Sequence, residues 1–479
     1  MASNQLSRTE RILRIFTEVR PGEGPTALLM FANVFLILCA YYFIKPLREG
    51  WLSISGIVGL APIEVKAYSS FAQALLLLPI VGWYGQLAVR WGRTPLFTRA
   101  TLFCISNMLV FFFLQPDVFF GKLPWSGILF YLWVGIFGVF VVAQFWTFCA
   151  DIYTDERGKR MMPMIAIGAT SGAAAASWIV GELTRVDEVT KTAVVPNEYL
   201  LLVAIAPLLA SIVLTRIVEA RERDAGKAVD VTQAPLSPEG DGEQKGEGLQ
   251  FLLSGARLVF VSRFILAAAL VTLLLNWVNT NGENLLYAVV NESLTSQVVE
   301  QGIVGERAVD EFVKSGTTAF YGNFFFWVNI VALALQSLVA SRLLKYGGFA
   351  PLLMILPVIA LISYTIMALL PVLAIVKLMK IAENATDYSL NNTARHVLWL
   401  PVSSEMKFRG KPAIDTLYVR MGDGLAALTI LIGVQWLDLE TGTFFAFNVA
   451  LVLVWIWFAV VLIREHRKAS EAILPDGTE

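Results

Sequence analysis

From Pro25 to Ile44 no residue carries a charge, and the run is about twenty residues long, the length of helix that crosses a bilayer's hydrocarbon. Such runs recur at about 25–45, 66–88, 95–115, 127–150, 161–182, 198–217, 258–280, 318–343, 349–369, 371–392, 413–435 and 441–463. In lipid every backbone N–H and C=O must find a partner inside the protein, which a helix provides within one segment. The chain therefore reads as an all-α membrane protein of about twelve transmembrane helices. Composition agrees: 56% of the residues are hydrophobic and only 16% charged, and mean hydropathy is +0.64. The tenth run is the most heavily interrupted by polar residues.

Several functions are excluded early. A net charge of −1 and the lack of a long basic run argue against nucleic acid as a partner. Cys39, Cys104 and Cys149 all fall inside apolar runs and read as small buried hydrophobes, with no disulfide framework. His396 and His466 have no neighbours at metal-ligand spacing, so no metal site is expected. The chain has no Gly-x4-Gly-Lys-Ser/Thr phosphate loop, no credible nucleophile–base pair and no cofactor motif. A carrier, not an enzyme, is the expectation, with a small solute and membrane lipid as its partners and no obligate protein partner.

Lys and Arg give the orientation. They cluster at Arg8, Arg11, Arg14 and Arg20, at Arg90 and Arg93, at Arg157, Lys159 and Arg160, in the central linker, at Arg342 and Lys345, at Lys407, Arg409 and Lys411, and at Arg464, Arg467 and Lys468. Alternate loops are poor in them, which places both termini and the linker in the cytoplasm. The division that follows is a cytoplasmic N-terminal segment over 1–24, read either as a helix on the membrane surface or as an ordinary solvated leader, a six-helix bundle over 25–217, a flexible Pro-, Gly- and Glu-rich linker over 218–257, a second bundle over 258–463 and a cytoplasmic tail over 464–479. An extended external loop is expected near Asn291 to Ser315.

The two halves echo each other. Gly85 to Leu96 after span two is matched by Ala340 to Leu352 after span eight; Asp151 and Arg160 to Pro163 by Asp387 and Arg395 to Pro401; and Lys45 to Glu49, faintly, by Asn279 to Glu283. Matching positions in two six-span halves are the mark of repeats that rock about a midplane site. The Gly85–Thr94 segment resembles the loop between spans two and three of the major facilitator superfamily, with Val89 in place of the usual acidic residue. Two pseudo-symmetric six-helix bundles of major-facilitator type are thus expected.

Charges inside spans are costly unless they meet water, a partner or a ligand. In span ten Lys377, Lys380, Asn384, Tyr388, Asn391 and Arg395 advance by three or four residues and so share one helical stripe, with Asp387 at its edge. Span one offers Tyr41, Lys45 and Arg48 on one face and Glu49 beside it, with Pro46 placed to end or kink the helix. Span seven offers Asn276, Asn279, Thr280 and Glu283. Arg90, Arg93, Asp151, Arg160, Arg420 and Asp423 read as gating or ion-pair residues. Forked Arg donors, point-charge Lys and aromatic surfaces suit a phosphorylated solute. The competing reading is that these charges only pair with one another and hold the helices.

Three stretches carry a further resemblance: Tyr41 to Glu49; Phe145 to Arg160; and Tyr388 through Pro401 to the loop ending Gly410-Lys411-Pro-Ala-Ile-Asp415. With these the chain resembles the ATP/ADP translocase (nucleotide transporter) family of plastids and bacteria. The resemblance implies exchange of ATP for ADP by alternating access in a cell inner membrane, with Lys45 as the lysine that engages phosphate. The family's acidic residue early in span four has no counterpart here, where Trp133 and Val134 stand, and its acidic position in span seven falls near Asn276. Two alternatives stay open: a proton-coupled carrier of another anionic or zwitterionic solute, with Glu49, Asp151, Asp387 or Glu283 carrying the proton, and a membrane scaffold that transports nothing.

Overall fold

The computed structural model describes residues 19–91, 93–116, 118–119, 121–123, 125–224, 259, 262–403, 406 and 410–471, with backbone alone at 81–82, 84–91, 93–94, 151, 155, 159 and 224. Among the described residues, twelve helical segments cover the twelve expected spans. They are α1 (Gly24–Ser53), α2 (Pro62–Trp91), α3 (Arg93–Leu114), α4 (Ser126–Ile152), α5 (Asp155–Leu183), α6 (Tyr199–Asp224), α7 (Arg263–Glu300), α8 (Glu306–Gly347), α9 (Phe349–Leu369), α10 (Leu373–Thr386 with its continuation to Leu398), α11 (Lys411–Gln435) and α12 (Thr441–Glu471). Ten of these described helices are long and apolar enough to cross a membrane. Large apolar side chains such as Phe103, Trp178, Leu453 and Trp457 are more than half exposed, a surface that suits lipid and would be unusual in water.

Contacts divide the chain into two compact units: residues 1–55, 83–242 and 303–330 form one, and residues 56–82, 243–302 and 331–479 the other. In the first unit α1 is the central element, packed on α4, α5 and α6. Its closest crossing is with α5, whose Gly168-Ala-Thr-Ser-Gly172 places two glycines four apart. A Cβ on Gly172 would stand 2.2 Å from the Phe35 carbonyl oxygen, and one on Gly168 2.8 Å from that of Phe31. Small residues at this spacing are how membrane helices bring backbones together. In the second unit α7 packs on α11 and α12, and α9 on α10 and α12.

Four sequence expectations are corrected. Pro46 does not end its helix: α1 continues to Ser53, and the buried Pro46 is accommodated inside the packed unit, where neighbouring helices tolerate a missing backbone hydrogen bond. The external loop expected over Asn291 to Ser315 is mostly helix, because α7 extends to Glu300 and α8 begins at Glu306, leaving a short turn with Gly302 at φ +63° and Gly305 at φ +97°. The first part of the expected linker, 218–224, continues α6, and 464–471 of the expected tail continues α12. Most of the linker, the N-terminal segment up to residue 18 and the last eight residues lie outside the described residues.

Candidate functional site

The densest charged cluster of the second unit is built on α10. Lys380 is fully buried. Its Nζ donates to Glu383 Oε2 at 2.8 Å and to Asn279 Oδ1 of α7 at 3.1 Å, and stands 3.5 Å from Glu283 Oε1. Asn384 Nδ2 donates to the same Glu283 oxygen at 2.7 Å. Tyr364 of α9 places its hydroxyl 3.1 Å from Glu383 Oε1 and 3.1 Å from the Val278 carbonyl oxygen. Lys66 of α2, also buried, donates to the Glu283 carbonyl at 3.3 Å and lies 4.6 Å from the centre of the Tyr287 ring. Two lysines thus stand with two carboxylates. A charge buried here is tolerable only with its partner, and removing one member of such a pair costs about 3–5 kcal/mol.

Helical spacing brings Lys380, Glu383 and Asn384 together, but the expected stripe does not run the whole length of α10. A π turn at Asp387–Asn391 interrupts the α geometry. The extra residue in a π turn rotates everything after it, so steps of three and four no longer keep one face. Asn391 donates back to Asp387 at 2.7 Å, while Tyr388 is 38% exposed. Arg395 reaches Asp415 at 2.8 Å, on the π turn of α11. Lys377, one turn before Lys380, is half-buried.

A second polar set joins α7 to α11. Thr280 Oγ1 donates to Asp423 Oδ1 at 2.7 Å, and Arg420 Nη1 to Asp423 Oδ2 at 2.7 Å. Asn276 bonds its own helix, donating to the Thr272 carbonyl at 2.7 Å. Four α7 residues singled out in the sequence therefore do different things: Asn279 and Glu283 meet α10, Thr280 meets α11, and Asn276 turns back on α7.

In the first unit Lys45 sits within an aromatic box. Its Nζ is 4.0 Å from the Phe325 ring centre, 4.9 Å from that of Tyr42 and 5.8 Å from that of Tyr41. Cations over ring faces are attracted by the ring quadrupole. One turn on, Arg48 donates to the buried Glu49 at 2.5 and 3.0 Å and stacks 4.4 Å from the Tyr131 ring centre. Arg160 forks onto Glu23 at 3.0 Å with both terminal nitrogens, while Arg157 pairs with Glu222 at 2.8 Å. Burial works against the charged form of Glu23, yet hydrogen bonds from Arg160 and the Arg20 backbone, with the charges of Arg160 and Arg157, hold it below the usual glutamate value. Lys314 of α8 donates to Gln115 at 3.0 Å and Glu198 at 2.9 Å, beside a cavity of about 430 Å³. The side chains of Arg90, Arg93 and Asp151 lie outside the described residues.

Sequence reading missed Glu383, Tyr364, Lys66 and Lys314. Glu383 carried a signal, standing three residues after Lys380 on the same helical face. Tyr364, inside an otherwise apolar span, carried none.

A family model described as TLC ATP/ADP transporter matches residues 118–466. This chain belongs to the TLC ATP/ADP transporter family. That makes it a multi-pass membrane protein of a carrier family; the match contains the α7, α9 and α10 residues of the Lys380 cluster, and Lys45 precedes it. Among curated proteins, the TLC-family chain is 24% identical over 183 residues to ADP,ATP carrier protein 1 of Chlamydia trachomatis serovar D, covering 32% of this chain and 34% of that protein. It is 25% identical over 129 residues to ADP,ATP carrier protein 1 of Chlamydia pneumoniae, covering 23% and 25%. The matched part thus spans about a third or less of these relatives. Among solved structures, the TLC-family chain is similar to the nucleoside transporter NupG, with TM-score 0.55, 15% identity and 93% and 98% of the two chains covered. It is also similar to an auto-inhibited POT family peptide transporter, with TM-score 0.62, 10% identity and 92% and 97% covered. These likenesses establish the major-facilitator-type fold.

Proposed function

We propose that this protein exchanges nucleotides, ATP against ADP, across a bacterial inner membrane by alternating access, with both termini cytoplasmic and the segments 25–217 and 258–463 as its moving bundles. The observation that carries the reading is the Lys380 cluster: a buried lysine held by two carboxylates inside the stretch matched by a family of ATP/ADP transporters. Charges inside a membrane span are expensive and mark solute pathways. Lys380, Asn279, Asn384 and Glu283 form the proposed polyphosphate-facing set, with Lys377 one turn away. Lys45 and its rings offer the two kinds of surface that a nucleotide has use for, a cation for phosphate and π faces for a base. Arg160, Arg420 and Asp423 serve as ion-pair residues that hold helices.

Reconstituted vesicles test this directly. Protein-containing vesicles preloaded with ADP should take up external ATP several times faster than empty ones, whereas an imposed pH gradient should leave uptake unchanged. A second reading, a proton-coupled carrier of another anion or zwitterion, is favoured by the buried carboxylate of Glu383; it predicts the reverse pattern.

A further inference from the structure

We propose that Glu383 is the protein's own rival for the cargo's phosphate at Lys380, so that cargo binding is a change of ion-pair partner. This deepens the nucleotide-exchange reading and rests on it. An ammonium has three N–H donors. Those of Lys380 face three oxygens, on Glu383 at 2.8 Å, Asn279 at 3.1 Å and Glu283 at 3.5 Å, and the side chain has no exposed surface. No donor is left over for a ligand. A phosphate that uses Lys380 must therefore take the place of one of these three oxygens, and of the three the two carboxylates are the ones whose charge competes with its own.

The two carboxylates are unequal. Glu283 stands farther from Nζ, is 25% exposed and is separately held by Asn384. Glu383 makes the closer bond, its side chain is 4% exposed, and the ammonium it holds is the one to be handed over. Tyr364 equips the site for that hand-over. Its hydroxyl has one proton and two acceptors at equal distance, the Val278 carbonyl and Glu383 Oε1. With Lys380 withdrawn to a phosphate, the proton turns to Glu383 and keeps the carboxylate hydrogen-bonded in a place where an unsatisfied charge would be prohibitive. When cargo departs, Glu383 takes Lys380 back and the buried charge is balanced again. Glu383 is accordingly a positioning residue, whose removal strengthens cargo binding and slows release.

Glu383→Gln tests this, since it keeps the shape and an acceptor for Lys380 while deleting the competing charge. Binding of labelled ATP and ADP to purified protein, and exchange in vesicles, are measured side by side. The expected result is a dissociation constant lowered about tenfold, the scale set by trading a charge-assisted bond for a neutral one. KM should fall with it and kcat should fall at saturating substrate, a split that a mere loss of structure does not produce. Glu383→Asp, with its carboxylate retained, should return both values toward wild type. If Glu383→Gln does not fold, Tyr364→Phe weakens the hold on the released carboxylate without changing charge, and should weaken ATP binding. Wild type that binds nucleotide while the available variant leaves affinity unchanged, or moves it the opposite way, overturns the partner change and leaves nucleotide exchange standing. Wild type that binds no nucleotide overturns both.

Discussion

Gly282 and Tyr364 compete for one place: a Cβ added at residue 282 would stand 2.0 Å from the Tyr364 hydroxyl and 3.0 Å from Lys380 Nζ. The missing side chain is what lets α9 deliver a hydroxyl to the α10 cluster across the face of α7. Gly282→Ala should therefore push Tyr364 off Glu383, at a cost of about 1–3 kcal/mol for overpacking a filled core. Thermal unfolding in detergent should show the loss, and combining it with Tyr364→Phe should recover part of it. Equal stability of wild type and Gly282→Ala would refute the packing argument.

The Lys314–Glu198 pair should respond unequally to loss of its two members. The Lys314 side chain is 5% exposed and that of Glu198 24%. Glu198→Gln leaves a buried ammonium with neutral acceptors, a loss of about 3 kcal/mol. Lys314→Met leaves a carboxylate that can turn to water, and should cost about 1 kcal/mol or less. Comparing the unfolding midpoints of both variants checks the order, and the reverse order would count against it.

Acid should weaken the Glu23–Arg160 contact. Because the folded protein holds the Glu23 pKa below its unfolded value, its carboxylate contributes stability that is fully present above the ordinary glutamate pKa of about 4.3 and is lost as pH falls through the lowered one. The melting-temperature gap between wild type and Glu23→Gln should be constant from neutral pH down to about pH 5 and shrink below that. A gap that widens on acidification would contradict the sign.

Lys45 should matter more to exchange than to folding. It is half-buried and on a helix fixed by its neighbours. Lys45→Met keeps an unbranched apolar stem among Tyr41, Tyr42 and Phe325 and removes only the charge. Nucleotide kcat/KM should drop by about 10–100-fold, the worth of one or two charge-assisted hydrogen bonds. The melting temperature should move by only a few degrees. Undiminished exchange would remove Lys45 from the site.

How much of this was written in the chain can be judged from single residues. The run from Pro25 to Ile44 announces α1 because a bilayer accepts few other structures of that length and polarity. Lys380 and Asn384 announce themselves as a helical pair four residues apart, and Glu383 was there to be seen by the same spacing. The end of that regularity at Asp387 was not visible, since a π turn arises from how α10 packs and not from any residue that forbids the α-helix. Pro46 does not end α1 for a related reason: alone it favours a break, whereas a helix packed in a membrane bundle tolerates the missing bond.

The sequence by itself determined which segments are helices and which of them carry charge into lipid, and for most it placed the ends to within about two turns, though not for α7 and α8, which run well beyond their apolar cores. These are local matters of length, polarity and 3.6-residue spacing. Only the tertiary structure decided that Lys380 answers to Glu383, Asn279 and Glu283 at once, that Tyr364 from a plain apolar helix completes them, and that Lys314 joins Gln115 and Glu198. Side chains from distant parts of the chain meet through helix packing, and packing is set by the fit of whole surfaces, such as the glycine faces of α5 and α7, which no single segment contains.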